Sequence, residues 1–228
     1  MYLFWNKKTI TDFSDSNIES LYNDGFVFTR LGKGVMHQTR SARIDLSKFE
    51  LSSENRRILK KVEGLCLEKH PIPYLEYSWE IGKIAKDFYT SRDADFSANK
   101  IKELLTDDTE SNFNILLAFE EDTIPSPSSP FQGEVAEGRR GYAICYQSPT
   151  LLHYSYPFYD LSAPKDTGLG MMLKAILWAK ENGKKYFYLG SLQRPTDVYK
   201  LQFAGLEWFD GKKWQTDLAT AKKTLNEN

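Results

Sequence analysis

A short glycine-bearing loop stands directly before a strongly periodic segment and could bind an anion. Residues 165–170 read Lys-Asp-Thr-Gly-Leu-Gly. The first N–H groups of a helix have no partner within the helix, and the helix dipole places about half a positive charge there. Such a loop suits a phosphate, a carboxylate or the oxyanion of an acyl transfer. The same residues are equally compatible with a tight turn before an ordinary packed helix.

The segment after the loop predicts an amphipathic helix and then a buried strand. Apolar side chains follow the 3.6-residue period of a helix at Leu169, Met172, Leu173, Ile176 and Leu177. Gly183 stands where a left-handed residue would end the helix. The run 186–189 is aromatic and apolar, as in a strand, and Gly190 ends it. We therefore expect the helix to pack on a sheet.

A second group of residues that could bind a ligand is a cluster of four cations. Arg56, Arg57, Lys60 and Lys61 occupy about two turns of a helix that Ser52 or Ser53 can cap. Without further information such a cluster is typical of a solvated helix face. The net charge of the chain is −1, which argues against a broad basic surface for coating nucleic acid. The net charge does not exclude a local contact with an RNA end.

Composition limits the possible classes of protein. The chain has 228 residues, 41% of them hydrophobic and 27% charged, enough for one large domain or two small ones. Cys66 and Cys145 lie far apart, so no metal site is indicated, and both are expected to be buried thiols in a reducing compartment. The N-terminal segment lacks a long apolar core, which predicts a cytoplasmic protein without a membrane segment.

The order of predicted elements favours an α/β or α+β fold. We expect a mixed central sheet with flanking helices and a small N-terminal α+β subdomain. The expected strands are at 1–5, 25–30, 42–46, 112–119, 141–147, 151–159 and 186–189. The expected helices begin near Asp15 or Ser16, at Ser52 or Ser53, and span 75–89, 97–105 and 169–181, with a surface loop over 123–140.

Several motifs together carry a resemblance to a known family. The C-terminal ones are Phe158-Tyr159-Asp160, Leu169-Gly170, Tyr186-Phe187-Tyr188-Leu189-Gly190 and Tyr199-Lys200. The N-terminal ones are Gly25-Phe26, Arg30, Arg43, Phe49 and Ser53 through Arg56-Arg57 to Lys60-Lys61. In order and spacing the chain resembles the aminoacyl-tRNA–protein transferases, the arginyl and leucyl enzymes of the N-end rule. The resemblance implies a GNAT-like fold for the C-terminal part and a division into residues 1–70 and 71–228.

Three departures from that family pattern bear on function. The cysteine cluster expected between Gly34 and Arg43 is absent, so any metal or redox role tied to it is lost. Leu161 replaces the proline expected after Tyr159-Asp160, and Met171-Met172 follow Leu169-Gly170 where the family has small or polar residues. These differences leave the substrates undetermined.

The resemblance implies transfer of an amino acid from aminoacyl-tRNA to the α-amine of a protein that begins with Asp or Glu. Aminoacyl-tRNA would be the co-substrate, and neither a metal nor a cofactor is required. The implied catalytic residues are Asp160 and Tyr159. The implied substrate-binding residues are Arg56, Arg57 and Arg43 for the acidic N-terminus, Leu169, Gly170 and Met171 for the oxyanion or the tRNA end, and Tyr199 and Lys200 for tRNA phosphate.

Three other functions remain open. The loop at 165–170 also resembles the pyrophosphate loop of GNAT acyltransferases, with Lys165 in the first position, which favours an enzyme that uses acetyl-CoA. A Fem-type relative would transfer an amino acid from tRNA to a cell-wall precursor. A degenerate member without the cysteine cluster would bind acidic N-termini without catalysis.

Overall fold

The computed structural model describes residues 3–121 and 139–226, and its elements alternate between helices and strands. The helices are α1 Asp15–Asn23, α2 Ser53–Lys61, α3 Trp79–Thr90, α4 Ala98–Thr106, α5 Thr167–Glu181 and α6 Leu218–Asn226, with a 3₁₀ helix over Pro195–Gln202. The strands are β1 Asn6–Thr9, β2 Phe26–Phe28, β3 Val35–Gln38, β4 Ser41–Asp45, β5 Leu65–Pro71, β6 Ile115–Glu121, β7 Arg139–Gln147, β8 Leu151–Tyr159, β9 Tyr186–Ser191, β10 Leu206–Phe209 and β11 Trp214–Gln215.

The strands form a small sheet and a large one. The small sheet has the order β1-β3-β2 and is antiparallel. The large sheet has eight strands in the order β11-β10-β4-β9-β8-β7-β6-β5. Among its described pairs, β8 with β9 is parallel and the others are antiparallel. Helix α5 connects the parallel pair, as a parallel connection requires.

The large sheet is buried on both faces, so the molecule has three layers. Along β6, Leu117 belongs to the core that includes residues of helices α2, α5 and α6, whereas Leu116 belongs to the core that includes residues of α1, α3, α4 and the small sheet. This alternation follows from the two-residue period of a strand, and sheets covered on both faces have apolar central strands. The expected mixed sheet with flanking helices is confirmed.

Local sequence signals account for the helices that flank the site. Helix α2 begins with a capping box, in which Ser52 Oγ accepts from the Asn55 N–H at 3.1 Å and Asn55 Oδ1 accepts from the Ser52 N–H at 3.2 Å. Helix α5 ends before Gly183, which has a φ of 71° as predicted. The capping residues and the 3.6-residue spacing of apolar side chains in the sequence therefore predicted both helices.

Some local expectations were wrong. The first described strand is Asn6–Thr9 and residues 3–5 are not strand, because an exposed edge strand depends on backbone pairing with β3; residues 1 and 2 of the predicted strand lie outside the described residues. Helix α3 begins at Trp79, and Leu75 is 96% exposed. Cys66 is exposed because β5 is the edge strand of the large sheet, whereas Cys145 is buried as expected. The predicted loop at 123–140 lies outside the described residues, apart from its last two, which begin β7.

Strands β4 and β5 come from the first 71 residues and both belong to the large sheet. The division at residues 70 and 71 stays a prediction. Within residues 3–121 and 139–226, the helices are too short or too polar to cross a membrane.

Candidate functional site

The candidate site is the place where the two parallel strands of the large sheet separate. Strands β8 and β9 pair through three registered positions, from Leu151 with Tyr186 to His153 with Tyr188. Beyond His153, β8 continues to Tyr159 and β9 to Ser191 without a registered partner in each other. A cleft of about 660 Å³ opens there. Backbone groups that would otherwise bond across the pair can therefore face a ligand.

A β-bulge shapes the β8 side of this cleft. Cys145 of β7 pairs with Tyr154 and Ile144 pairs with Tyr156, so Ser155 is an extra residue on β8. Bulges re-aim the backbone and are frequent beside active sites. On the opposite wall Gly190 has a φ of 74°, and the position of an added Cβ has no atom within 4 Å. Both strands therefore depart from regular geometry where the cleft opens.

The charged side chains of the cleft are mainly cationic. Arg92, Arg194 and Lys200 line it, and Asp197 is the one carboxylate among its described lining residues. A mainly cationic cleft suits an anionic ligand, such as a phosphate or a carboxylate.

Lys200 and Asp197 form the fixed polar floor of the cleft. The buried Lys200 Nζ donates to the Ser191 carbonyl at 2.7 Å and lies 3.1 Å from Asp197 Oδ1. Asp197 Oδ2 accepts from the Gln193 and Arg194 backbone N–H groups at 2.8 and 2.9 Å. Burial opposes ionisation of Asp197, but Lys200 and these N–H donors outweigh it and hold its pKa below the usual value. The network ties the 3₁₀ helix to the end of β9.

A buried histidine stands at the point where β8 and β9 separate. His153 Nδ1 lies 2.9 Å from the Tyr22 hydroxyl. Burial disfavours the charged imidazole and the nearby Lys200 adds repulsion, so the pKa of His153 falls to about 3. The ring is therefore neutral at neutral pH and keeps one nitrogen as an acceptor.

Arg92 connects the cleft to Tyr159 at the end of β8. Its Nη2 donates to the Tyr159 hydroxyl at 3.1 Å, its Nη1 donates to the Phe88 carbonyl at 3.1 Å, and its guanidinium lies 3.6 Å from the centre of the Phe88 ring. Arg194 differs, because it is exposed and forms no ion pair with another residue in the part of the chain that the structure describes. Arg92 is thus held in place, and Arg194 is available to a ligand.

Neither residue of the predicted catalytic pair is among the described lining residues of the cleft. Asp160 Oδ1 accepts from the Ser162 N–H and hydroxyl, both at 2.7 Å, in a turn directly after β8. Tyr159 is partly buried and contacts the cleft through Arg92. Their catalytic roles stay predictions.

The predicted anion loop is closely packed around its glycines. A Cβ on Gly168 would lie 2.6 Å from the Tyr159 ring, and a Cβ on Gly170 would lie 2.6 Å from Val62. Met171 is fully buried and Leu169 is partly buried. Asp166 occupies the N-cap position with a φ of 75° and makes no side-chain capping bond, because its carboxylate pairs with Lys61 at 2.8 Å. The glycines thus permit close packing of α5 on β8 and α2.

The predicted arginines for an acidic N-terminus lie away from the cleft. Arg56 and Arg57 are exposed on α2, where Arg56 bonds the Leu51 carbonyl and Arg57 pairs with Glu54. Arg43 is buried between the rings of Tyr186 and Trp214, at 3.8 and 3.9 Å. Its Nε pairs with Glu207 at 2.8 Å. Tyr199 is 42% exposed and is not among the described lining residues. Of the predicted binding residues, Lys200 is the one that lines the cleft.

Sequence reasoning missed most of the cleft. His153, Ser155, Arg92, Arg194 and Asp197 were not selected, because no local motif marks them. The segment between Gly190 and Lys200 carried one usable signal, since a polar run directly follows a buried strand there. Among the described residues, no group of three or more His, Cys, Asp or Glu could hold a metal ion.

The sequence matches no protein-family model and no curated protein. Similar solved structures include the C-terminal domain of a putative lysylphosphatidylglycerol synthetase from Agrobacterium fabrum, with 13% identity, a TM-score of 0.47 and coverage of 82% of this chain and 55% of that one. L-PGS from Bacillus licheniformis has 14% identity and a TM-score of 0.46, with coverage of 77% of this chain and 49% of that one. FemX has 13% identity and a TM-score of 0.45, with coverage of 78% of this chain and 60% of that one.

This chain spans about half to three fifths of the length of those structures. Likeness at this level does not assign an activity.

Proposed function

We propose that this chain transfers an amino acid from aminoacyl-tRNA to an amine, and that the reacting groups meet in the β8–β9 cleft. The observation that carries the proposal is the opened parallel pair, with its bulge at Ser155 and its cationic lining. Strand N–H groups freed by the separation can donate to the oxyanion that forms when an ester carbonyl is attacked. Positioned donors of this kind contribute strongly to acyl transfer.

The chemistry balances without an added metal or redox partner. The amine nitrogen forms a bond to the ester carbonyl carbon, and the bond from that carbon to the ribose oxygen breaks. The proton lost by the amine ends on the released ribose hydroxyl. Because the ester is already activated, the protein needs to align the two substrates, stabilise the oxyanion and pass one proton.

The surroundings of Asp166 favour aminoacyl-tRNA over acetyl-CoA as the donor. An acetyl-CoA enzyme would place a pyrophosphate against the loop at 165–170. In this chain the Asp166 carboxylate already stands at the start of α5, and side chains fill the space beside both loop glycines. A pyrophosphate would meet closely packed atoms there, and the nearby cations Lys61 and Arg57 are already engaged by the Asp166 carboxylate.

A finer proposal concerns the acceptor, a protein whose N-terminal residue is Asp or Glu. The three cations of the cleft support it, since a guanidinium binds a carboxylate through two parallel hydrogen bonds. Arg194 is our first assignment for that contact, because its side chain is exposed at the cleft. Arg56 and Arg57 on α2 are the alternative suggested by the sequence.

The decisive experiment measures transfer of labelled amino acid from charged tRNA to peptides that begin with Asp, Glu, Arg or Ala. Arginyl-tRNA, leucyl-tRNA and a total charged tRNA pool are compared, with labelled acetyl-CoA as a further donor. Transfer from any charged tRNA supports the proposal. Transfer from acetyl-CoA alone would replace it with an acetyltransferase, and binding of acidic peptides without transfer would replace it with a recognition module.

Variants then locate the acceptor site. Arg194→Ala should lower kcat/KM for Asp and Glu peptides by roughly 10- to 100-fold, the value of a charge-assisted hydrogen bond of about 1.5–3 kcal/mol. Lys222→Ala, which removes an exposed cation on α6, is the control. Arg56→Ala and Arg57→Ala test the alternative. If Arg194→Ala matches the control while either α2 variant loses selectivity, the assignment to Arg194 is wrong.

A further inference from the structure

A second cleft adjoins the first and differs from it in chemistry. It has a volume of about 560 Å³. Phe28, Arg92, Tyr156 and Arg194 line both clefts and thus form a shared wall. A ligand bound in the second cleft therefore lies directly beside the first.

The walls of this second cleft combine aromatic rings with guanidinium groups. The rings belong to Phe28, Tyr89, Phe96 and Tyr156, and the guanidinium groups to Arg30, Arg92 and Arg194. The part of the lining that the structure describes contains no carboxylate side chain. The cleft is therefore suited to a flat ring system that carries negative charge nearby.

Two of the three guanidinium groups are already held in position. Arg30 lies 4.1 Å from the centre of the Phe96 ring and donates to the Asp95 carbonyl at 2.6 Å. Arg92 is fixed by Phe88 and Tyr159. Ordered cations lose little side-chain entropy when an anion binds, which favours binding.

We propose that this aromatic cleft binds the terminal nucleoside of a single-stranded RNA end, with its neighbouring phosphate on Arg30 and Arg92. Unpaired bases stack on aromatic side chains, and arginine pairs with phosphate in two-point geometry. The inference rests on the proposed function, because an aminoacyl-tRNA carries its ester on the ribose of such a terminal nucleoside. With the base in the aromatic cleft, that ester lies toward the shared wall and the β8–β9 cleft.

A phosphorylated nucleoside is also part of coenzyme A, so the test must separate the two sources. Binding is measured by fluorescence anisotropy with a short uncharged RNA that has the sequence of a tRNA 3′ end. The same RNA without its terminal base and acetyl-CoA are the comparison ligands. No acceptor and no charged tRNA are present, so the result does not depend on transfer activity.

Two exposed leucines give a matched pair of variants. Leu31 lines the aromatic cleft and is 63% exposed, whereas Leu75 is 96% exposed and lies outside that lining. Leu31→Glu places a carboxylate beside the three arginines without disturbing the core. We expect it to weaken RNA binding about tenfold or more, and Leu75→Glu to leave binding unchanged. Removal of the terminal base should weaken binding of the unaltered protein to a similar extent.

The outcomes separate this inference from the proposed function. Unchanged binding after both Leu31→Glu and loss of the terminal base would overturn the inference, even if transfer from tRNA is observed. Base-dependent binding that Leu31→Glu weakens would support it, even if the transfer assay fails. Acetyl-CoA binding that is sensitive to Leu31→Glu, with no RNA binding, would assign the cleft to coenzyme A and overturn the RNA assignment.

Discussion

His153 should make the folded protein sensitive to acid. The pKa of its imidazole is about 3 in the folded chain and about 6.5 in an unfolded one. Between these values the unfolded state binds a proton that the folded state does not, so stability falls as the pH falls. The loss is about 1.4 kcal/mol per pH unit below 6.5, or about 2–3 kcal/mol at pH 4.5.

The substitution that isolates this contribution is His153→Gln, which keeps a side-chain group within reach of the Tyr22 hydroxyl. Urea unfolding at pH 7 and pH 4.5 gives the free energy of unfolding for both proteins. Carboxylates also lose stabilising interactions in acid, but they are common to both proteins and cancel in the comparison. The stability difference between the two pH values should shrink by about 2–3 kcal/mol in the variant.

Tyr22→Phe is the matched control, because it removes the same hydrogen bond without removing an imidazole. It should lower stability by a similar amount at both pH values and keep the pH dependence of the unaltered protein. If His153→Gln and Tyr22→Phe show the same pH dependence, the buried neutral state of His153 is refuted.

Three other predictions concern packing, charge and thiol reactivity. Gly168→Ala should destabilise the protein by about 1–3 kcal/mol in urea unfolding, because the added methyl group meets the Tyr159 ring. Gly64→Ala is the control and should leave stability unchanged, because the space around Gly64 is open. Equal effects of the two substitutions would contradict the packing role of Gly168. Glu207→Gln should lower the free energy of unfolding by about 3 kcal/mol in the same assay, since it leaves the buried Arg43 guanidinium without its ion-pair partner. A decrease of less than about 1 kcal/mol would contradict the stabilising role of that pair. In the folded protein a thiol reagent should label exposed Cys66 and spare Cys145, because Cys145 is buried and burial raises the pKa of its thiol. Mass spectrometry of the labelled peptides measures both reactions. Faster labelling of Cys145 than of Cys66 would contradict this prediction.

The sequence predicted the elements whose signals are local. Helix α5 and strand β9 follow from a 3.6-residue period, a terminating glycine and an aromatic run within about 25 residues. Strands β3 and β5 were missed, because VMHQ and LCLEKHP mix apolar and polar residues without clear alternation. Their strand structure depends on backbone pairing with distant neighbours, which outweighs local propensity.

The candidate site was harder to predict because it is assembled from distant segments. Lys200 was identified from a motif, yet its ion-pair partner Asp197 was not. Arg92 follows α3, whereas Arg194 follows β9, and nothing in either local sequence indicates that the two side chains line one cleft. Arg43 was selected as a free binding group, but its contacts with Glu207 and two rings depend on strand order in the sheet.

The strand order also has a consequence for the growing chain on the ribosome. Strand β4 lies between β9 and β10, and its paired residues Arg43 and Tyr188 are 145 positions apart. At about 5–20 residues per second, the ribosome needs roughly 7–29 s to synthesise that interval. During this time Ala42 and Ile44, fully buried in the finished sheet, lack their strand neighbours. A nascent chain halted before β9 would therefore expose a strand with two open edges, the kind of segment that chaperones bind and that aggregates when left uncovered.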